Sequence, residues 1–385
     1  MNPSPSTHLR PRPLHGLAAL ALLVLAACSH APAPRADADE GPRPAQPRDW
    51  SPPPGTPEAV EVAEAWIVDG HDDGELDSIA TWLSPDGQLQ VVVTAKRSHE
   101  LRVFDGGNGD LLRTVGGRGD GPGRFNRPNG VAIHGDVLFV AERDNHRVQM
   151  LSLPDFQPLG EFGADRLEAP YGLWLTETAP GRLMVVVTDS FMRGRNFEIV
   201  PPLDTLDRRL HRFLVDLSGD RPRAAHAGSF GETTREGAIR VTESVWGDPF
   251  HQRLLVADEH VPTGLRLLVY GLDGGFLGTL GEGLYKGDPE GLALWACADG
   301  SGYWISVDQR AEGTVFNLYD RRDLSLVGRF RGRVTADTDG IALFQAGTAR
   351  FPDGVLYATH EDRAVSAFDW GSIARRLDLP TRCSV

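Results

Sequence analysis

The chain has 385 residues, of which 41% are hydrophobic and 24% charged; that supplies enough apolar material for a sizeable core and excludes wholesale disorder. Its 44 glycines and 28 prolines follow no collagen period and point to many turns between short strands. A formal net charge of −14 without a basic stripe argues against a nucleic-acid partner and favours recruitment of divalent cations.

At the amino terminus, Arg10 and Arg12 precede an apolar run, residues 14–27, too short for a comfortable membrane span. The run closes as Leu25-Ala26-Ala27-Cys28, which resembles the lipobox of bacterial lipoproteins. The resemblance implies removal of residues 1–27 as a signal peptide, acylation of Cys28 and a lipid anchor without a spanning helix. An ordinary secretory signal with a chance cysteine is the alternative. Ser29 stands where an aspartate would favour inner-membrane retention, so the expectation is an outer-membrane lipoprotein of a bacterium, facing periplasm or exterior. Residues 28–57, rich in Pro, Ala, Arg and Asp, read as a solvated tether. Residues 58–385 are expected to form one folded, monomeric unit beginning near Val60. Cys297 and Cys383 permit a single disulfide, not a disulfide framework, and no Cys/His spacing suits zinc.

From there one pattern repeats: a short polar phrase, often closed by glycine, then an apolar stretch, a turn, a β-branched run, and a second alternating run. The openings are Asp77-Ser78-Ile79, Asn129-Gly130-Val131, Tyr171-Gly172-Leu173, Glu243-Ser244-Val245, Glu290-Gly291-Leu292 and Asp339-Gly340-Ile341. They recur at roughly 40–50 residues, the period of propeller blades, except for one longer gap. Residues 189–212, rich in Arg and Pro, account for that gap and read as a surface insertion between strands. Second strands are predicted at 89–94, 137–141, 183–188, 254–257, 303–306 and 355–358, and later strands at 101–105, 147–151, 265–270, 314–320 and 364–370. The fold class is therefore all-β, a six-bladed β-propeller of four-stranded antiparallel blades. The last blade lacks a fourth strand, and residues 60–68 could fill that place and close the ring.

Residues 119–132, with Arg127-Pro128-Asn129-Gly130, and then Val140-Ala141-Glu142-Arg143-Asp144-Asn145-His146-Arg147, resemble an NHL repeat over one blade. A wider resemblance, spanning nearly all of residues 60–377, is to the β-propeller phytases. It is carried by Asp77 to Trp82, Thr94-Ala95-Lys96-Arg97-Ser98, Tyr171-Gly172, Thr242-Glu243 with Leu255-Val256-Ala257-Asp258-Glu259, Asp288-Pro289-Glu290-Gly291, Asp337-Thr338-Asp339-Gly340, and Trp370-Gly371-Ser372. It implies several calcium ions at one channel mouth and hydrolysis of phytate or a related phosphate ester by metal-activated water. Ser78 and Ala132 stand where that family carries further aspartates.

The openings occupy equivalent places in successive blades, so their acidic groups should gather at one mouth. Asp77, Glu243, Asp258, Asp288, Glu290, Asp337 and Asp339 are the expected metal ligands. Crowded carboxylates have raised pKa values unless a cation relieves them, and oxygen-only donors suit calcium. Glu243, Glu290, Asp337 and Asp339 are the expected catalytic centre, with Lys96, Arg97, Arg127 and Tyr171 holding phosphate. For any one carboxylate, a turn-capping role is the competing reading. Two other functions stand beside this one: a non-catalytic, NHL-like binding scaffold, and a calcium-dependent lactonase or esterase on the same fold. No P-loop and no Gly-x-Ser-x-Gly elbow is present.

Overall fold

A computed structural model describes residues 50–69, 74–195, 197–219 and 221–383, all within one compact unit. The signal peptide, Cys28 and the tether up to residue 49 lie outside the described residues. Of the expected tether, residues 50–57 form no strand, but Trp50 is half-buried and lies under the Arg310 guanidinium, 5.0 Å from its ring centre.

Two short strands come first, β1 (Val60–Glu61) and β2 (Trp66–Asp69). Blade one is β3 (Leu76–Leu83), β4 (Leu89–Ala95), β5 (Glu100–Asp105) and β6 (Leu111–Gly116). Blade two is β7 (Pro128–His134), β8 (Val137–Glu142), β9 (Arg147–Ser152) and β10 (Pro158–Phe162). Blade three is β11 (Pro170–Ala179), β12 (Arg182–Asp189), β13 (Leu210–Asp216) and β14 (Arg223–Phe230). Blade four is β15 (Thr242–Asp248), β16 (Arg253–Asp258), β17 (Arg266–Gly271) and β18 (Phe276–Leu280). Blade five is β19 (Pro289–Ala296), β20 (Gly302–Asp308), β21 (Val315–Asp320) and β22 (Leu326–Arg331). Blade six is β23 (Ile341–Phe344), β24 (Val355–His360) and β25 (Ala364–Asp369), completed by β2. A short helix, α1 (Trp370–Arg376), follows.

Each blade is an antiparallel sheet, and the first strand of each touches the first strand of the next until β23 returns to β3. The molecule is thus the six-bladed propeller the repeats predict. Closure is shared between two blades. β2 pairs with β25 antiparallel, Val68 opposite Val365, as expected for the ring's missing strand. β1 instead adds a fifth strand to blade five, parallel to β22, Val60 opposite Phe330. Between them Glu64 bends the chain, its carboxylate accepting the amides of Val334 and Thr335.

Burial explains the apolar second strands. The core is six clusters, one at each interface between neighbouring blades. Successive side chains on a strand point to opposite faces, so both faces of a central strand need apolar residues. In β12, Val185 and Val187 pack toward blade two while Val186 packs toward blade four. In β16, Leu254 and Val256 face blade three and Leu255 and Ala257 face blade five.

Two sequence expectations need correction. Residues 364–370 are not all strand: Trp370 opens α1, whose amino end Asp369 caps by accepting from the Ser372 amide at 2.8 Å. Trp370, Ile373 and Ala374 bury this helix against blades five and six. The 189–212 insertion is not purely surface, because β12 runs to Asp189, β13 starts at Leu210, and Phe191, Leu206 and Arg209 are buried. Cys297 and Cys383 form a disulfide tying the carboxy-terminal segment to blade five. No described helix is long and apolar enough to cross a membrane.

Candidate functional site

The site grows from one irregularity repeated around the ring. In the first strand of blades one to five the register with the second strand slips by a bulge, between Leu76/Ile79, Pro128/Val131, Pro170/Leu173, Thr242/Val245 and Pro289/Leu292. The bulged pairs are Asp77-Ser78, Asn129-Gly130, Tyr171-Gly172, Glu243-Ser244 and Glu290-Gly291; Asp339-Gly340 precedes β23 in the sixth place. Bulges re-aim side chains, and here they present one residue per blade at the same mouth. Hydroxyls on the second strands hold the loop: Thr94, Thr188 and Thr359 accept from the amides of Ser78, Gly172 and Asp339 at 3.0, 2.8 and 3.0 Å.

The small second member of each pair has a steric cause. A Cβ on Gly130 would stand 2.3 Å from the Tyr171 carbonyl oxygen, and one on Gly340 2.3 Å from that of Asp77. The channel wall is accordingly main chain with Ser78, Gly130, Gly172, Ser244, Gly291 and Gly340 on it.

A second ring comes from the residue just past each second strand. The amides of Lys96, Arg143, Ser190, Glu259, Gln309 and Glu361 donate to carbonyls of the loops entering the first strands, at Glu75, Arg127, Ala169, Val241, Asp288 and Ala336. That places Glu259 beside the first ring. Carboxylate oxygens of Glu243, Glu259 and Glu290, all buried, lie within 4.8 Å of one another. Gln309 Nε2 donates to Asp339 Oδ1 at 2.7 Å, while Asp339 Oδ2 and both amide atoms of the fully buried Asn129 have no hydrogen-bond partner among the described residues. Burial, with the nearby charges of Asp362 and Glu290, pushes the Asp339 carboxyl well above its ordinary value, and Lys96 opposes this.

The mouth is electrically lopsided. Glu243, Glu259, Glu290 and Asp339 occupy the side of blades four to six. On the side of blades one and two, buried Lys96 pairs with Asp77 at 2.9 Å and donates to the Tyr171 hydroxyl at 3.3 Å. Glu75, also buried, pairs with Arg127 at 2.5 Å and Arg97 at 3.0 Å. Lys96, Arg97, Arg127 and Tyr171 are therefore grouped, around Glu75 and Asp77.

Asp258 also has a structural role. Its Oδ1 accepts from the amides of Arg240 and Val241 at 3.1 and 2.9 Å, clipping the loop before β15. Asp189 does the same for Glu168 and Ala169, and Asp308 for Lys286 and Gly287. Asp258 belongs to this structural series, with its Oδ2 buried and lacking a hydrogen-bond partner among the described residues, and the following residue, Glu259, joins Glu243 and Glu290. Asp288 and Asp337 sit two residues ahead of Glu290 and Asp339, on the loops that enter the mouth.

The protein is thus a six-bladed β-propeller with one polar channel mouth, and one blade carries a recognised signature. Residues 125–150 match the NHL repeat. Those residues build blade two internally: Glu142 accepts from Arg147, Gln149, Asn145 and the Asn126 amide. Solved structures similar to this chain include the following. A gluconolactonase from Xanthomonas campestris is 16% identical with a TM-score of 0.51, over 84% of this chain and 97% of its own. The β-propeller domain of Cps50 (Swd1) from Myceliophteria thermophila is 13% identical with a TM-score of 0.40, over 76% and 97%. A chain of a nidogen–laminin complex is 15% identical with a TM-score of 0.44, over 69% and 83%. No curated protein sequence matches this chain.

Proposed function

We propose that the protein is a calcium-dependent phosphomonoesterase of phytase type, acting at this channel mouth on phytate or a related phosphate ester. The observation that carries the reading is the convergence of Glu243, Glu259 and Glu290 beside Lys96, Arg97, Arg127 and Tyr171. A cation among three buried carboxylates this close would relieve their mutual repulsion, and the oxygen-only donor set fits calcium. Asn129 and Asp339 add buried oxygens with unused accepting capacity. A bound calcium ion would supply the positive charge that polarises water and shields phosphate oxygens.

The chain's own groups do the remainder. Lys96 Nζ and the Tyr171 hydroxyl face the mouth as donors for phosphate oxygens, with Asp77 and Glu75 fixing the positions of the three cationic side chains. Asp339 is a buried carboxyl able to take or return a proton. Hydrolysis joins a water oxygen to phosphorus, breaks the bond from phosphorus to the ester oxygen, and delivers a proton to the departing alcohol.

A lactonase or esterase reading draws on one observation: Lys96, Arg97 and Arg127 all have carboxylate partners, which lowers the net attraction of the mouth for a polyanion. The assay that decides is product release from phytate, simple phosphomonoesters and lactones, with calcium and with chelator. Calcium-dependent phosphate release supports the proposal. Lactone opening alone moves the chemistry to carboxylic esters, and no turnover of any substrate leaves a binding scaffold. Export with a lipid anchor at Cys28 is part of the same proposal, and the Cys297–Cys383 disulfide supports an oxidising compartment.

A further inference from the structure

We infer that His211 and His226, on the two outer strands of blade three, form a binding site for a divalent transition-metal ion of the zinc class, independent of the chemistry at the channel mouth. The two residues stand 15 positions apart in the chain and are joined by the fold. β13 and β14 slip register by a bulge between His211 and Phe213, which sets Phe213 opposite His226 and leaves both histidines on one face of the sheet. Phe213 lies against both rings, its centre 6.4 Å from that of His211 and 5.2 Å from that of His226. His211 Nδ1 and His226 Nε2 are 3.2 Å apart. Zinc holds imidazole nitrogens at about 2.0–2.1 Å, so an ion between these two atoms would subtend about 100–105°, close to the tetrahedral angle. A plain hydrogen bond between the rings would span the same distance, and three further observations favour the ion.

The far nitrogen of His211 is backed by a carboxylate. Its Nε2, buried and without a hydrogen-bond partner among the described residues, lies 3.4 Å from Asp189 Oδ2. Asp189 is itself fixed, accepting from the amides of Glu168 and Ala169 at 2.9 and 2.7 Å. A carboxylate behind a histidine holds the proton on that far nitrogen and leaves the near one as a lone-pair donor, and the charge of an ion in front tightens the contact. His226 is a neutral donor too. Burial, with His211 and Arg166 nearby, lowers its pKa, and Asp165 opposes this. Asp165 and Arg166, 3.1 Å from each other, together bring no net charge to the pair. His226 is half-buried, so the site opens to solvent and water can complete the coordination. Finally, none of the eight residues of β14 is buried, so this edge strand has little apolar anchorage. An ion held by one histidine from each strand would pin β14 to β13. Imidazole nitrogens select softer ions than the carboxylates of the mouth, so the two sites would take different metals.

The test is a zinc titration by calorimetry in excess calcium, on protein purified without a histidine tag. The native chain should bind a zinc ion that Glu259→Gln, at the mouth, retains and that His226→Gln weakens by at least about tenfold. Because His226 is half-buried, its replacement should leave the fold intact, verified by Tm in chelator. Two measurements on the native chain need no variant: zinc should raise Tm, and it should shield His226 from carbethoxylation by diethyl pyrocarbonate. Absence of zinc binding, an affinity that His226→Gln leaves unchanged, or modification of His226 at an unaltered rate in saturating zinc overturns the inference and leaves a hydrogen bond between the rings.

Discussion

Glu142 accepts four hydrogen bonds, from Arg147, Gln149, Asn145 and the Asn126 amide, and so serves blade two alone. Its replacement by alanine strands the buried Arg147 and should cost about 3–5 kcal/mol, read from chemical denaturation. Glu243, Glu259 and Glu290 bring carboxylate oxygens within 4.8 Å of one another across two blades. Asp339 makes the consequence measurable. Its carboxyl is raised in the folded state by burial and by Asp362 and Glu290, so the folded protein holds a proton that the unfolded chain has released. In chelator, the contribution of Asp339 to stability should therefore be greatest at acid pH and fall as pH rises toward the folded value; the Tm of the native chain compared with that of Asp339→Asn between about pH 5 and 8 checks this, and calcium should flatten the decline. The sequence reading names Asp258 as a ligand and passes over Glu259, since nothing local marks which of two adjacent carboxylates reaches the mouth. The fold sets one oxygen of Asp258 on the amides of Arg240 and Val241 and brings Glu259 to Glu243 and Glu290.

Among elements, the innermost strands carry the most constraint. The pairs from Asp77-Ser78 to Asp339-Gly340 are legible in sequence because a small residue must follow each mouth residue wherever the next blade's backbone closes in. Gly340→Ala would press a Cβ to 2.3 Å from the Asp77 carbonyl oxygen, and should lower stability by about 1–3 kcal/mol and disturb Asp77 and Asp339 together. The second strands are legible for a different reason, since burial on both faces writes an unbroken apolar run. Three features escape that logic. The split of residues 60–69 between two blades depends on Glu64 meeting Val334 and Thr335, more than 250 positions away. Helix α1 is too short to show a period, and the insertion's buried Arg209 looks like any surface arginine until its carbonyl partners are in place.

For the whole molecule, closure and polarity are the two properties that matter. The disulfide spans 86 positions, so on the chain-entropy account its loss in Cys297→Ser should cost up to about 4–5 kcal/mol, seen as a lower Tm under non-reducing conditions. The ring brings carboxylates from blades four and five together at the mouth that also carries the cationic side chains of blades one and two, an arrangement that no segment of the chain holds by itself. The most direct check is a calcium titration by calorimetry of the native protein and of Glu259→Gln, a residue that joins the mouth only through the fold. The account predicts stoichiometric binding by the native protein and affinity weakened by about tenfold or more in the variant. Absence of calcium binding, or an affinity that the substitution leaves unchanged, would contradict it.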